Sequence, residues 1–164
     1  MTNKKLTGSF YTPKIIADFL VDYLSKKMKG EDLTVLEPSS GDGIFVQSIY
    51  NHKTLAKQIK KVVAVEREEI ELEKVKAITK SKSLKTIHSD FLDFQNNNKQ
   101  KFDLVIGNPP YIKKNLLEPE QVSLCENIHK IFPTLSENKI KNIWTAFLVR
   151  SINFVIDNGI LAFV

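Results

Sequence analysis

Phe102-Asp103-Leu104-Val105-Ile106-Gly107-Asn108-Pro109-Pro110-Tyr111 is the stretch on which the fold turns. Phe102 to Ile106 is a short apolar run with one acid, closed abruptly by Gly-Asn-Pro-Pro. This pattern predicts a buried strand that ends in a rigid loop. Pro109 and Pro110 have no backbone N–H, and Pro109 holds Asn108 towards an extended conformation. Two acceptors can therefore converge on a ligand, the Asn108 side-chain oxygen and the Pro109 carbonyl. Tyr111 adds a flat aromatic face beside them. A planar substrate carrying an NH2 group suits this set, its two hydrogens taken by the two acceptors and its ring stacked on the phenol.

Working outward, three more apolar runs end in the same way. Leu33 to Leu36 runs into Glu37-Pro38-Ser39-Ser40-Gly41-Asp42-Gly43-Ile44-Phe45. A glycine-rich turn between a strand and a helix lets backbone approach a ligand, and the helix N-terminus favours a negative group such as a carboxylate. Gly41 and Gly43 lack the third glycine of a dinucleotide fingerprint, and no Gly-Lys-Ser/Thr ending makes a P-loop. Val62 to Val65 predicts a second buried strand ended by Glu66, an acid placed either to accept from ribose hydroxyls or to cap a helix over Arg67 to Lys80. Thr86-Ile87-His88 leads into Ser89-Asp90-Phe91, a third strand end or a surface turn. Glu37, Glu66, Asp90 and Asn108 thus terminate successive strands. Alternation of strands with helices predicts an α/β domain with a mostly parallel sheet, helices on both faces and ligands at the carboxyl ends.

Tyr11-Thr12-Pro13 has the form of a helix cap, and Ile15, Ile16, Phe19, Leu20, Tyr23 and Leu24 repeat behind it at helical spacing up to a stop at Gly30. Asn96 to Lys101 reads as a polar loop. Beyond Tyr111, Ile112 to Ser136 reads as a loop with one short helix around Glu120 to Lys130. A clearer helix follows over Ile143 to Ile156, stopped by Asp157-Asn158-Gly159, and Ile160 to Val164 begins a fifth strand. That strand closes the chain with no polar tail, so residues 1–164 read as one catalytic domain cut short at its C-terminal side.

A hydrophobic content of 42% with 26% charged residues is that of an ordinary globular domain. No apolar run is long enough to span a bilayer, and the first residues are not followed by a signal-peptide core, so the reading is cytoplasmic with no membrane partner. The single Cys125 excludes an internal disulfide, and the scattered histidines suggest no metal site. A net charge of +5 favours a polyanionic partner. Of the lysines, Lys113 and Lys114 stand closest to the Asn108 loop and are the candidates for phosphate contact.

Asn108 to Tyr111 resembles the Asn-Pro-Pro-Tyr motif of S-adenosylmethionine-dependent amino-methyltransferases. The run Glu37 to Phe45 is similar to the cofactor loop of class I methyltransferases, with Ser40 where Cys is frequent. From Thr7 to Val164 the motif order resembles the gamma-type N6-adenine DNA methyltransferases of restriction-modification systems. The resemblance implies a Rossmann-like class I fold and S-adenosylmethionine as cofactor. Tyr11, Thr12, Glu37, Pro38, Gly41, Gly43, Glu66, Asp90, Phe91 and Asn108 would lie around it. Within that set, Thr12 would lie near the methionine carboxylate, Glu66 on the ribose, and Asp90 and Phe91 on the adenine, with Asp93 and Phe94 as the alternative register. Asn108, Pro109, Pro110 and Tyr111 would act on an adenine flipped out of double-stranded DNA. A target-recognition domain, and an associated restriction endonuclease or specificity subunit, would complete the system. The same local chemistry also suits a protein glutamine amide or an RNA base. A non-catalytic cofactor-binding subunit is the alternative of a different class.

Overall fold

The structure is a computed structural model and describes residues 11–95, 100–131 and 140–164. The expected features before Tyr11, the Asn96 end of the polar loop and the loop approaching Ser136 fall outside these residues. Five strands, β1 (Leu33–Glu37), β2 (Ile59–Glu66), β3 (Leu84–His88), β4 (Phe102–Gly107) and β5 (Val155–Phe163), form one sheet. Their order is β3-β2-β1-β4-β5 and every pairing is parallel. Among the described residues six α-helices pack around it: α1 (Lys14–Lys27), α2 (Ile44–Asn51), α3 (Leu55–Gln58), α4 (Glu69–Ile78), α5 (Pro119–Lys130) and α6 (Trp144–Ile152). The strand order reverses between β1 and β4. Chain connections therefore leave β1 and β4 in opposite directions, which opens a crevice at their carboxyl ends.

The central strands are buried on both faces, which is why they read as continuous apolar runs rather than alternating ones. Val35, Val62, Ala64, Leu104 and Ile106 face a core completed by α1 and α2. Leu36, Val63, Val65 and Val105 face a second core completed by Phe91, Phe147 and Phe154. Asp103, the one acid in β4, is explained by its neighbour. Its carboxylate accepts the Thr34 N–H at 2.8 Å and the Thr34 hydroxyl at 2.7 Å, next to the irregular start of β1.

Three local expectations need correction. Helix α1 buries Ala17, Val21 and Leu24, not the Ile15-Phe19-Tyr23 side, where Ile15 and Phe19 are 77% and 72% exposed. The helix is apolar around most of its circumference, and the side with the smaller residues is the one packed on α2 and the sheet. Helix α6 ends at Ile152, and β5 already begins at Val155. Asp157-Asn158-Gly159 is therefore not a helix stop but an irregularity within β5, where the register on β4 shifts between Phe102 and Leu104. Asn158 sits at φ 65°. A Cβ on Gly159 would stand 2.6 Å from Val155 Cγ1 and 3.1 Å from the Asp103 carbonyl, so only glycine fits. Lastly, β2 starts at Ile59, three residues before its apolar run. Among the described residues no helix is long and apolar enough to cross a membrane.

Candidate active site

One cleft lies at the carboxyl ends of the strands, and its floor is the turn between β1 and α2. Gly41 at φ 51° and Gly43 at φ 84° give this turn its shape. The Ser40 N–H donates to the Val65 carbonyl at 3.0 Å, and the Gly43 N–H donates to the Ser40 carbonyl at 2.8 Å. Gly43 does not itself line the cleft. A Cβ there would stand 2.4 Å from Ile78 Cδ1 and 3.1 Å from Val75 Cγ2, so this glycine admits α4 against the start of α2.

Glu37 also lies behind the cleft wall rather than on it, at 1% exposure. Its carboxyl is pushed well above its usual range, first by burial and then by the negative charges of Glu66 and Asp42, while a hydrogen bond from the Val46 N–H opposes the shift. The folded protein thus holds this proton more tightly than the unfolded chain does. Above the ordinary glutamate pKa the native state binds more protons, and stability falls as pH rises until the folded group ionises. Glu37→Gln, which keeps the shape without the ionisation, should flatten that loss. Urea denaturation at pH 5 and pH 8 checks it: the variant should gain on the wild type at pH 8 and match it more nearly at pH 5.

Glu66, at the tip of β2, is held by three backbone donors. Gly41 N–H reaches Oε2 at 2.7 Å, and the N–H groups of Arg67 and Glu68 reach Oε1 at 2.8 and 2.9 Å. A carboxylate has about four acceptor directions, so this anchoring leaves capacity for a ligand hydroxyl. Holding the turn that leads into α4 and facing the cleft are therefore compatible roles. Asp90 follows β3. Its Oδ1 accepts the Leu92 N–H at 2.8 Å, while Oδ2 lies 3.5 Å from Gln121 Nε2 and 4.0 Å from Arg67 Nη1. Asp90 and Phe91 line the cleft, and Asp93 does not. The Phe91 ring itself is buried against Phe147 and Phe154, at centroid distances of 5.3 and 5.4 Å.

The fourth wall is the end of β4. Asn108 Nδ2 donates to Thr12 Oγ1 at 3.1 Å, and the Ser39 hydroxyl lies 3.4 Å from the Asn108 carbonyl. Tyr11 crosses the glycine turn, and its hydroxyl donates to Glu71 Oε1 on α4 at 3.1 Å. Of the residues expected from sequence, Tyr11, Thr12, Pro38, Gly41, Glu66, Asp90, Phe91, Asn108 and Pro110 come together around the cleft. Glu37, Gly43, Pro109 and Tyr111 lie outside its lining. Tyr111 is 45% exposed and its hydroxyl donates to the Val164 carbonyl at 2.7 Å. Lys114 is paired with Glu126 at 3.0 Å, whereas Lys113 is exposed.

The segment after Tyr111 flanks the cleft, as its position in the sequence suggests, but the residues that form this wall were not singled out. Ile112, Gln121, Ile143 and Phe147 contribute to it, and the Ile143 N–H donates to the Ile112 carbonyl at 2.9 Å. The electrostatics were not foreseen either. Among the described residues, Asp42, Glu66, Glu68, Glu71 and Asp90 line the cleft with one cation, Arg67, although the chain as a whole carries +5. Such a lining favours a ligand with positive charge and hydroxyl groups and disfavours a phosphorylated one.

This strand order, with the glycine turn after β1 and acids closing β2 and β3, defines the class I S-adenosylmethionine-dependent methyltransferase fold. A putative class I methyltransferase from Listeria monocytogenes superposes with a TM-score of 0.75 at 17% identity, over 95% of this chain and 46% of that one. The methyltransferase subunit of a type I restriction-modification system from Streptococcus thermophilus gives 0.73 at 18% identity, over 94% and 34%. Residues 17–164 match the Eco57I restriction-modification methylase family, and the chain belongs to it. Among curated relatives, Type II methyltransferase M.HincII of Haemophilus influenzae is 28% identical over 99% of this chain and 28% of its own length. Type II methyltransferase M.AccI of Acinetobacter calcoaceticus is 28% identical over 100% of this chain and 28% of its own. The chain spans well under half the length of the curated relatives it matches.

Proposed function

We propose that this domain binds S-adenosylmethionine in the cleft and, in a complete enzyme, transfers its methyl group to N6 of an adenine flipped out of double-stranded DNA. The observation that carries the reading is the convergence of Asn108, at the end of β4, with the glycine turn after β1, joined at Ser39. Asn108, which would accept from an exocyclic amine, thus borders the cleft that would hold the cofactor. The acidic lining fits the cofactor, which carries a sulfonium, an ammonium and two ribose hydroxyls. Glu66 would take the ribose hydroxyls, Asp90 the cofactor's adenine amino group, and Thr12 with the glycine turn the methionine end.

The bound cofactor supplies an electrophilic methyl group on sulfur. What the chain supplies is a better nucleophile. Adenine N6 is poor because its lone pair is delocalised into the ring. When the Asn108 side-chain oxygen and the Pro109 carbonyl accept its two hydrogens, the nitrogen becomes pyramidal and its density localised. As the new N–C bond forms and the bonding pair of the sulfur–methyl bond stays on sulfur, positive charge develops on N6; the same two acceptors stabilise it until one N6 proton passes to water. Tyr111, 45% exposed and outside the cleft lining, would offer its ring to an extrahelical base, and a cation over such a face gains about 0.5 to 2 kcal/mol. Flipping costs roughly a few kcal/mol, offset in part by this stacking. DNA as substrate agrees with the positive net charge, with exposed Lys113 placed for phosphate, and with a cytoplasmic enzyme. A restriction endonuclease or specificity subunit is the expected associate.

Titration calorimetry tests the cofactor half of the reading. The chain should bind S-adenosylmethionine, and Asp90→Ala should weaken binding about 10- to 100-fold, the effect of losing a hydrogen bond to a charged group. Asp93→Ala should leave it unchanged. A larger loss from Asp93→Ala than from Asp90→Ala would move the adenine site one repeat along. A folded chain with no affinity for the cofactor would contradict the reading.

A further inference from the structure

The turn that carries Asp90 and Phe91 follows β3, an edge strand without a buried residue. Its own hydrogen bonds are local. The Asp93 N–H donates to the Asp90 carbonyl at 3.1 Å, the Phe94 N–H to the Phe91 carbonyl at 3.2 Å, and the Leu92 N–H to Asp90 Oδ1 at 2.8 Å. These bonds give the turn a shape but do not tie it to the rest of the domain. Helix α6 supplies that tie. Phe147 and Arg150 stand three residues apart on it and so share one side. Phe147 reaches the cleft wall and packs on the Phe91 ring at 5.3 Å. Arg150 lies behind that wall, outside the cleft lining. Its Nη2 donates to the Phe94 carbonyl at 2.6 Å, and its guanidinium carbon lies 5.6 Å from the Phe91 ring centroid and 5.8 Å from that of Phe154.

A planar guanidinium can lay its face on an aromatic ring while its edge donates hydrogen bonds, which an ammonium cannot do. Its charge also strengthens the bond to the carbonyl. Aromatic packing alone lets a ring slide or tilt, and the bond to the Phe94 carbonyl adds a fixed point on the same turn. Burial lowers the pKa of Arg150, and the negative charges of Asp93 and Asp90 oppose that shift. Both carboxylates of the turn therefore act on the guanidinium that holds it.

We infer that Arg150 is a positioning residue for the adenine end of the cofactor site: its guanidinium, laid on Phe91 and bonded to the Phe94 carbonyl, holds the turn so that Asp90 and Phe91 keep their place on the cleft wall. This inference rests on the proposed placement of the cofactor's adenine amino group on Asp90. It adds a residue that acts through the turn and touches no ligand.

The test compares Arg150→Met, which keeps a long apolar stem without donors or charge, with Arg150→Lys, which keeps the charge but not the planar face. Titration calorimetry gives the S-adenosylmethionine Kd. Competition against S-adenosylmethionine gives the preference of the site for adenosine over inosine, which carries an oxygen in place of the amino group. The wild type should prefer adenosine, because inosine would turn that oxygen towards the Asp90 carboxylate. Arg150→Met should raise the S-adenosylmethionine Kd about 10- to 100-fold, the effect of losing a hydrogen bond to a charged group, and should reduce the preference for adenosine. Arg150→Lys should show an intermediate loss of both. A folded Arg150→Met protein that is less stable but keeps the wild-type base preference has lost packing only, and that result would overturn the inference. If Arg150→Met does not fold, Arg150→Lys decides, and a wild-type Kd with a wild-type preference overturns it. Asp90→Ala is the reference in the same titration. If it leaves the Kd unchanged, the adenine placement fails and this inference with it; if it weakens binding while folded Arg150→Met matches the wild type, the role of Arg150 alone fails.

Discussion

Asn108→Ala is expected to lower methyl transfer by at least roughly 10²- to 10³-fold, the loss seen when one preorganised group is removed from a developing charge, while cofactor affinity stays close to that of the wild type. The reasoning is geometric. Asn108 sits where β4 ends, next to the glycine turn but on the side of the cleft away from Glu66 and Asp90, which would hold the nucleoside part of the cofactor. Removing its amide deletes one of two acceptors for the amine hydrogens and also leaves the Thr12 hydroxyl without its Asn108 partner. The effect should therefore appear in kcat and not in the cofactor Kd. Single-turnover kinetics alongside cofactor titration separates the two, and a variant that retains near-normal rates would remove Asn108 from the chemistry.

The second large effect concerns folding rather than chemistry. Gly43→Ala is expected to destabilise the domain by roughly 2 to 5 kcal/mol, the sum of about 1 to 2 for a left-handed backbone carrying a Cβ and about 1 to 3 for overpacking. The residue sits at φ 84° with Ile78 Cδ1 at 2.4 Å and Val75 Cγ2 at 3.1 Å from the position of the added carbon. Ile78 can swing its terminal methyl aside. Val75 cannot do so easily, because its β-branch restricts χ1 in a helix and it is fully buried. Gly41→Ala is the control: it shares a positive φ, 51°, but its nearest neighbour is Tyr11 Cε1 at 4.0 Å. Chemical denaturation should rank Gly43→Ala as clearly the more damaging of the two. Equal losses would mean that α4 relaxes and that only backbone strain matters at this turn.

The ends of the strands were legible in the sequence because a parallel strand buried on both faces must be apolar until it stops, and what stops it here is a polar residue at the ligand-binding edge. Glu66 and Asn108 stood out for that reason, whereas Asp90 follows β3, an edge strand without a buried residue. Glu37 carried the same signal yet lies behind the wall, since sequence position places a residue at a strand end without saying which way its side chain turns. Helix α1 misled for a different reason. With Ile15, Phe19 and Tyr23 on one side and Ala17, Val21 and Leu24 on the other, either side satisfies a helical repeat, and only the close packing on α2 selects the second. Gln121, Ile143 and Phe147 had no local signal. They reach the cleft because α5 and α6 fold back over the sheet, a relation between segments that no short motif encodes. Thr12 was legible both as a cap and as a site residue; the cap position falls to Pro13, and the Thr12 hydroxyl oxygen accepts from Asn108 Nδ2.

The central claim is that N6 of an adenine in DNA receives the methyl group. The direct measurement is to incubate the longest available form of the protein with methyl-labelled S-adenosylmethionine, unmethylated DNA and a cell lysate, and to digest the DNA to nucleosides for mass spectrometry. Label is expected in N6-methyl-2′-deoxyadenosine, and absent when Asn108 is replaced by alanine. Label in a protein glutamine, in RNA or in another base, with the adenines of the DNA unmodified, would contradict it.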